Sequence, residues 1–373
     1  MMASSGDALE ILWEDGDFVL SRGVWDGEGL PLLVAMPSSA QPSQGTLARL
    51  QHAYALREEL DPAWAARPLR LELHKGRLTL LNEDPGGEPL LRLTGRPWEI
   101  VSFLRLAIGI ATALAQVHQR GLIHKDIKPA NVLVNSATGQ VWLMGFGIAS
   151  RLPRERQAPA PPEVIAGTLA YMAPEQTGRM NRSIDSRSDL YALGVTLYEM
   201  LTGELPFVAS DPIEWVHCHI ARQPMPPDKR VAGIPGPLSG IVMKLLAKTA
   251  EDRYQTAAGL TVDLRKCLTE WESHRGIEPF PLGASDVSDR LMAPEKLYGR
   301  EHEIETLLGA FDRVVATGAT ELLLVTGYAG IGKSSLVNKL HKALVPPHGP
   351  NHHGLLDAMG TARRTFSGRV SGV

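Results

Sequence analysis

One loop constrains the fold of this chain more than any other stretch of its sequence. Residues 124–131 read His-Lys-Asp-Ile-Lys-Pro-Ala-Asn, and two short apolar runs within residues 132–144 follow them. The triplet Gly145-Phe146-Gly147 comes next, 19 residues after Asp126. The apolar runs are typical of short strands that lead out of the loop and into this triplet. Its first residue, Gly145, has no side chain.

The order of patterns along the chain predicts a small β-rich part followed by a larger helical one. Residues 10–83 alternate short apolar runs with turn residues, as strands and hairpins do. Residues 45–60 interrupt them with apolar side chains at near-helical spacing, which predicts one helix beside the sheet. From residue 97 to residue 271 the apolar period is mostly helical. The predicted fold class is therefore α+β.

Composition and charge exclude several classes of protein. With 373 residues, 44% of them hydrophobic and 21% charged, the chain has the length of two or three packed structural units. A formal net charge of −3 provides no basic field for nucleic acid or for an anionic membrane. The acidic N-terminal segment is not typical of a secretory signal. The most apolar stretch, residues 100–117, contains Arg105 and predicts a buried core helix without membrane insertion. We therefore expect a cytoplasmic protein.

Residues 10–272 resemble the eukaryotic-type serine/threonine protein kinases that bacteria also possess. The resemblance implies a bilobal protein-kinase-like fold, with a β-rich N-lobe over residues 1–95 and a helical C-lobe over residues 96–273. Five motifs in the expected order and spacing carry the resemblance: residues 124–131, 145–147, 167–175, 188–194 and 251–254.

The loop of residues 124–131 resembles a kinase catalytic loop, and this implies a role for each of three side chains. Asp126 corresponds to the base that takes the proton of the substrate hydroxyl, and Lys128 to a contact of the γ-phosphate. Asn131 corresponds to a ligand of the Mg²⁺ that is bound with ATP. An alternative stays open, in which the three side chains only brace the loop through hydrogen bonds.

Four further residues correspond to structural anchors of the kinase fold. Thr168 stands where such kinases contact the catalytic aspartate, and Asp189 stands where an aspartate braces the backbone of the catalytic loop. Glu175 ends an Ala-Pro-Glu triplet, and the resemblance pairs it with Arg253. A buried ion pair of this kind costs several kcal/mol when one partner is removed.

The N-lobe lacks the parts that hold ATP in this family. The glycine-rich loop that covers the phosphates is reduced to Gly16, with acidic residues on both sides. The third predicted strand, residues 32–36, contains Ala35 but no lysine, and Ala53 stands nearest the position of the helix glutamate that would pair with it. This sequence therefore lacks three groups that active protein kinases use: the strand lysine, the helix glutamate and, at Gly145, the metal-binding aspartate.

These losses predict a protein-kinase-fold signalling module with an impaired ATP and Mg²⁺ site, in a regulatory or interaction role in bacterial signal transduction. Such a pseudokinase would bind a protein partner, and its binding of ATP would be weak or absent. The alternative is an active serine/threonine protein kinase that transfers the ATP γ-phosphate to a serine or threonine of a protein substrate, with Asp126 as the base.

A second motif, towards the C-terminus, predicts a phosphate-binding loop. An apolar run at residues 321–326 reads as a strand, the motif Gly-Tyr-Ala-Gly-Ile-Gly-Lys-Ser follows it, and a helical pattern follows the motif. In such a loop backbone N–H groups wrap the phosphates, the lysine reaches the β- and γ-phosphates of ATP, and the serine ligates Mg²⁺. The residues concerned are Gly327, Gly330, Gly332, Lys333 and Ser334.

The motif resembles the start of an AAA-type P-loop ATPase, and this completes the predicted organisation. A linker rich in proline, glycine and serine spans residues 274–296, and a partial ATPase segment spans residues 297–345. A tail without apolar periodicity, residues 346–373, is predicted to be disordered. No later strand supplies a second acidic ATPase motif, so a truncated gene product is one interpretation. The order of kinase domain, linker and P-loop resembles large bacterial hybrid signalling kinases.

Overall fold

The computed structural model describes residues 9–25, 31–151, 168–180, 182–287, 300–317, 319, 321 and 323–326. The chain divides into two compact units, residues 1–298 and residues 299–373. The predicted phosphate-binding loop, residues 327–334, and the predicted disordered tail lie outside the described residues.

The first unit begins with a five-stranded antiparallel sheet in the order β1-β2-β3-β5-β4. Its strands are β1 Leu9–Glu14, β2 Phe18–Val24, β3 Pro31–Pro37, β4 Pro68–His74 and β5 Arg77–Glu83. Lys75 and Gly76 form the two-residue turn between β4 and β5, and both have positive φ angles, of 48° and 79°. Such a turn matches the right-handed twist of the strands that it joins.

One helix, α1 (Gln44–Ala55), packs against β4 and β5 of this sheet. The prediction of a helix over residues 45–60 is wrong at its end, because a short 3₁₀ helix, Arg57–Glu59, follows α1 instead. The backbone N–H of Leu56 bonds to the carbonyl of Ala53, three residues back, at 3.2 Å. This three-residue bond tightens the last turn and ends the regular α-helix.

The second part of the first unit is helical and surrounds one hydrophobic core. Its helices are α2 Ile100–Gln119, α3 Ser186–Thr202, α4 Pro212–Ile220, α5 Pro227–Arg230, α6 Gly236–Leu245 and α7 Ala257–His274. A small antiparallel sheet accompanies them, with strands β6 Glu88–Pro89, β7 Val132–Asn135 and β8 Gln140–Leu143. The β-rich first part and this helical part confirm the predicted α+β class and its bilobal arrangement.

α2 is a central core helix of the C-lobe. By length and composition alone, Ile100–Gln119 is apolar enough to cross a membrane, and it is the one such helix among the described residues. Several of its side chains are fully buried, including Phe103, Leu104 and Ile110 at 0% exposure. They belong to the hydrophobic core, in which α2 packs against α3, α7 and β8. This is the environment of a core helix, as the sequence predicted.

The segment after α7 packs against the helical part of the first unit. Asp286 accepts hydrogen bonds from the backbone N–H of Thr256 at 3.0 Å and from its hydroxyl at 2.7 Å, at the start of α7. Gly259 leaves room for this carboxylate, since a Cβ there would lie 2.3 Å from Asp286 Oδ1. Phe280 packs against the hydrophobic core. These contacts hold the predicted linker of residues 274–296 in place as far as Asp286.

The described part of the second unit consists of one helix, α8 (Glu301–Thr317), and a few residues after it. Residues 321 and 323–326 contain no strand, although the apolar run there predicted one. A strand needs a neighbouring strand for its backbone hydrogen bonds, and the described residues of this unit supply none. An ion pair connects this stretch to α8, with Arg313 Nη2 at 2.6 Å from Glu321 Oε1.

Candidate active site

A cleft lies between the two lobes, beside the turn that joins β1 and β2. The sheet and α1 line it from the N-lobe, and the predicted catalytic loop and residues 144–148 line it from the C-lobe. Asp15 and Arg49 are its charged side chains on the N-lobe side, and Asp126 and Lys128 are those on the C-lobe side. Among the described lining residues, two acidic and two basic groups therefore cancel each other's charge.

Four of the predicted residues meet at the floor of this cleft. The carboxylate of Asp126 accepts a hydrogen bond from Asn131 Nδ2 at 2.9 Å and one from the backbone N–H of Thr168 at 3.2 Å. Asn131 Nδ2 also donates to the backbone carbonyl of Asp126 at 2.8 Å. Lys128 Nζ donates to the hydroxyl of Thr168 at 2.6 Å and lies 3.3 Å from Asp126 Oδ2. The four residues thus form one network from the chain's own groups.

Asp189 holds the backbone of this loop in place. Its buried carboxylate accepts hydrogen bonds from the backbone N–H groups of His124 at 2.8 Å and of Lys125 at 2.7 Å. His118 Nε2 lies 2.9 Å from the same carboxylate. Burial lowers the pKa of His124, and the ring of His124 is 2.9 Å from the carbonyl oxygen of Met144. The start of the loop is therefore fixed through both its backbone and its first side chain.

Glu175 and Arg253 form a buried, bidentate ion pair. Arg253 Nη1 and Nη2 donate to the two carboxylate oxygens of Glu175 at 2.7 and 2.9 Å. Ser188 adds a hydroxyl hydrogen bond to Glu175 at 2.8 Å. Burial opposes ionisation of this carboxyl, but the charge of Arg253 and these hydrogen bonds outweigh burial and hold the pKa of Glu175 below its ordinary value. The pair joins the segment that follows Thr168 to the loop between α6 and α7.

Gly145 faces Asn131 across a gap that is too small for a side chain. The backbone of Gly145 is left-handed, with a φ angle of 81°. A Cβ at this position would lie 2.5 Å from both Cγ and Oδ1 of Asn131. Asn131 is 3% exposed, and its amide nitrogen is held by Asp126. The carboxamide of Asn131 therefore occupies the space in which a side chain at position 145 would begin.

Two alanines of the N-lobe, one on β3 and one on α1, belong to an apolar cluster in the cleft. Ala35 of β3 and Ala53 of α1 line the cleft. Leu50, Ala53 and Leu80 are 4 to 7% exposed, and Ala35 and Phe18 pack against them. Methyl groups thus fill this part of the cleft. A charged side chain placed among them would lose its water, which is costly without a partner.

A second apolar cluster crosses the cleft and joins the lobes. Leu20 of β2 and Leu33 of β3 belong to it from the N-lobe, and Leu133, Trp142 and Met144 belong to it from the C-lobe. All of these side chains are at most 6% exposed. Full burial of a side chain of this size contributes about 1.5–3 kcal/mol. The cluster therefore stabilises the contact between the lobes.

Arg49 is a cleft residue that the sequence reasoning did not identify. Its Nη1 lies 3.0 Å from Asp17 Oδ2 in the β1–β2 turn. The stem of Arg49 lies close to Gly147, where an added Cβ would come within 2.9 Å of the Cβ of Arg49. A signal did exist, since Arg49 stands four residues before Ala53 and residues one helical turn apart share a face.

The predicted phosphate-binding residues Gly327, Gly330, Gly332, Lys333 and Ser334 lie outside the described residues, so their roles stay predictions. Within the described ranges, no group of three or more histidine, cysteine, aspartate and glutamate side chains is arranged to hold a metal ion.

Comparison with known proteins identifies the class of domain that this fold and cleft define. Residues 90–263 match the family model of the protein kinase domain, and residues 296–366 match that of the AAA ATPase domain. The β-rich lobe, the helical lobe and the cleft between them are those of the bilobal protein-kinase fold. The first unit therefore has the protein-kinase fold, and the stretch that matches the AAA ATPase domain follows it along the chain.

Serine/threonine protein kinases are among the relatives of this chain. Serine/threonine-protein kinase PknB of Mycobacterium tuberculosis is 43% identical over 152 residues, which cover 41% of this chain and 24% of the relative. A probable serine/threonine-protein kinase of Streptomyces coelicolor is 38% identical over 165 residues, which cover 44% of this chain and 24% of the relative. Hybrid signal transduction histidine kinase G of Dictyostelium discoideum is 30% identical over 65% of this chain and 10% of its own length. The chain thus spans 24% or less of the length of these relatives.

Proposed function

We propose that the kinase domain is a pseudokinase, a signalling module that keeps the fold, binds a protein partner and does not transfer phosphate. One observation carries this proposal. β3, the strand that carries the lysine for the ATP phosphates in an active kinase, contains Ala35 but no lysine, and Ala53 of α1 stands nearest the position of the glutamate that holds this lysine. Both alanines belong to an apolar cluster of buried side chains. The cleft is thus without the ion pair that the active state requires.

The groups at the floor of the cleft do not fit the magnesium ions that bridge the ATP phosphates. In protein kinases the aspartate of Asp-Phe-Gly and an asparagine of the catalytic loop hold them. Gly145 supplies no side-chain ligand, which leaves Asn131 Oδ1 as the single side-chain ligand of this pair, while Asn131 Nδ2 donates to Asp126 at 2.8 and 2.9 Å. Magnesium is usually held by one or two carboxylates together with the substrate phosphates. We infer that binding of ATP and Mg²⁺ at this site is weak or absent.

The charge of the cleft also disfavours a polyphosphate. Its two lining cations both have acidic neighbours, since Lys128 lies 3.3 Å from Asp126 and Arg49 lies 3.0 Å from Asp17.

Each lost interaction with the transferring phosphoryl group costs about 10²–10³ in rate, by analogy with single oxyanion-hole donors. Losses within one catalytic unit are not additive, so their product would overstate the deficit. Because groups are missing from both lobes, these losses together support the absence of phosphotransfer activity.

An active serine/threonine kinase is the second candidate, and the surroundings of Asp126 favour it. Its carboxylate lies beside Lys128 and Thr168, as the resemblance implies for a catalytic base. In this case Asp126 takes the proton of a serine or threonine hydroxyl of a protein substrate, Lys128 contacts the γ-phosphate and Asn131 holds Mg²⁺. The pseudokinase proposal assigns the same network to bracing the loop.

For the second unit we propose nucleotide binding by residues 327–334. Lys333 would contact the β- and γ-phosphates of ATP, and Ser334 would ligate Mg²⁺. The succession of a kinase domain and an ATPase domain supports a regulatory or docking role within a larger bacterial signalling protein of the cytoplasm. A hybrid signal transduction histidine kinase among the relatives is consistent with this role. We place the boundary between the lobes at residues 95 and 96 and the start of the ATPase segment at residue 297.

Transfer of labelled phosphate tests the proposed function. The purified chain with Lys333→Ala, which silences the phosphate-binding loop, is incubated with γ-labelled ATP, Mg²⁺ and a generic serine/threonine substrate protein. We expect no incorporation above that of a matched chain that carries both Lys333→Ala and Asp126→Asn. Incorporation that Asp126→Asn abolishes would establish the active kinase instead.

A further inference from the structure

We propose that two aspartates of the β1–β2 turn form ion pairs with both cations of the cleft and thereby exclude polyphosphates from it. In this acidic turn, residues 15–17, Asp15 faces Lys128 and Asp17 faces Arg49. Lys128 and Arg49 are the two cations among the described residues that line the cleft. The inference rests on the proposed function, because it concerns regulation of the same cleft. The ligand class that competes with the acidic turn is a polyphosphate, whether free or part of a nucleotide.

The acidic turn is fixed by its own hydrogen bonds. Asp15 Oδ1 accepts from the backbone N–H groups of Asp17 at 2.9 Å and of Phe18 at 2.8 Å. The N–H of Asp15 donates to the carbonyl of Phe18 at 2.9 Å, and the hydroxyl of Ser38 donates to the carbonyl of Gly16 at 2.9 Å. Because Oδ1 closes the turn, the other oxygen of the same carboxylate is held towards the catalytic loop.

Asp15 completes the surroundings of the Lys128 ammonium. Lys128 Nζ lies 3.8 Å from Asp15 Oδ2 and 3.3 Å from Asp126 Oδ2, and it donates to the hydroxyl of Thr168 at 2.6 Å. The side chain of Lys128 is 11% exposed. Lys128 Nζ therefore donates one hydrogen bond, to Thr168, and has two carboxylates at ion-pair distance. A phosphate group reaches Lys128 by displacing Asp15, because Asp126 and Thr168 belong to the network at the floor of the cleft.

Asp17 plays the corresponding part for Arg49. Arg49 Nη1 lies 3.0 Å from Asp17 Oδ2, and the hydroxyl of Thr46 donates to Asp17 Oδ1 at 3.2 Å. Arg49 and Thr46 both belong to α1, so Asp17 ties the turn to this helix while Asp15 ties it to the catalytic loop. A partly exposed ion pair is weak by itself. A polyphosphate that uses both cations must break both pairs, however, and their effects on its binding therefore add.

Binding of inorganic tripolyphosphate, measured by titration calorimetry, tests the inference. All chains carry Lys333→Ala, and this parent is compared with Asp15→Asn, with Asp15→Asn/Asp17→Asn and with Glu14→Gln. Asparagine keeps the side-chain oxygen that closes the turn, so the first variant loses a charge and not the turn. Glu14 is an exposed acid directly before the turn and controls for the same change of net charge.

We expect Asp15→Asn to bind tripolyphosphate at least about fivefold more tightly than the parent. The variant lacks the negative charge that Asp15 places within ~4 Å of Lys128 in the parent. The double variant should gain more, and Glu14→Gln should stay within about twofold of the parent because its charge faces solvent. Equal affinities of the parent and Asp15→Asn would overturn the inference. An equal gain in Glu14→Gln would also overturn it, because net charge would then explain the effect. Phosphate transfer by the Lys333→Ala chain would instead refute the proposed function, so the two failures are distinguishable.

Discussion

Replacing Arg253 with methionine lowers the free energy of unfolding by about 3–5 kcal/mol. The reason is that Glu175, whose side chain is 3% exposed, then carries a buried charge without its guanidinium partner. The remaining hydroxyl of Ser188 supplies one hydrogen bond and no compensating charge. Urea denaturation of the full chain, followed by a spectroscopic signal of the first unit, measures the loss.

Arg265 provides the matched control, because it is an exposed arginine on α7. Arg265→Met should change the free energy of unfolding by no more than about 0.5 kcal/mol. The double variant Glu175→Gln/Arg253→Met should be more stable than Arg253→Met alone, since no uncompensated charge stays buried. A loss for Arg253→Met no larger than that for Arg265→Met would show that the pair does not stabilise the fold.

Introducing an aspartate at position 145 is expected to destabilise the domain and not to give it magnesium-dependent ATP binding. A Cβ there lies 2.5 Å from the carboxamide of Asn131, which is buried and hydrogen-bonded to Asp126. Overpacking of a filled site costs about 1–3 kcal/mol. We expect Gly145→Asp to lose this amount in urea denaturation. Magnesium-dependent binding of ATP should stay as weak as in the parent, because Ala35 and Ala53 are unchanged.

Gly121 separates the steric cost from the cost of the backbone conformation. Its φ angle is 76°, close to the 81° of Gly145, and an added Cβ there has no atom within 4 Å. Gly121→Asp therefore reports the cost of a left-handed aspartate alone, and Gly145→Asp should exceed it by the overpacking term. Equal losses in the two variants would mean that Asn131 moves aside freely and that Gly145 is not required by its surroundings.

Features that depend on neighbouring residues could be predicted from the sequence. The alternation of apolar and turn residues predicted the strand that carries Ala35, and the helical spacing predicted the helix that carries Ala53. Both positions line the cleft. The β-rich stretch followed by a helical one, together with the resemblance to protein kinases, predicted the two lobes.

Contacts between distant segments could not be predicted in the same way. Asp15 approaches Lys128 only because the lobes close on each other, and no local pattern encodes their separation. Asp286 was assigned to a linker, although it holds Thr256, 30 residues away, at the start of α7. The end of α1 at Ala55 depends on a tightened last turn and not on the apolar spacing, which continues to residue 60.

The measurement that tests the central claim most directly is a thermal-shift titration of the Lys333→Ala chain with ATP, with and without Mg²⁺. The claim is that the kinase cleft has lost the groups that hold Mg²⁺ and ATP, at Ala35, Ala53 and Gly145. We predict that the melting temperature of the first unit at millimolar ATP is the same with and without Mg²⁺. A magnesium-dependent rise of roughly 5–10 °C, the size expected when ATP stands at about 100 times its Kd, would contradict the claim.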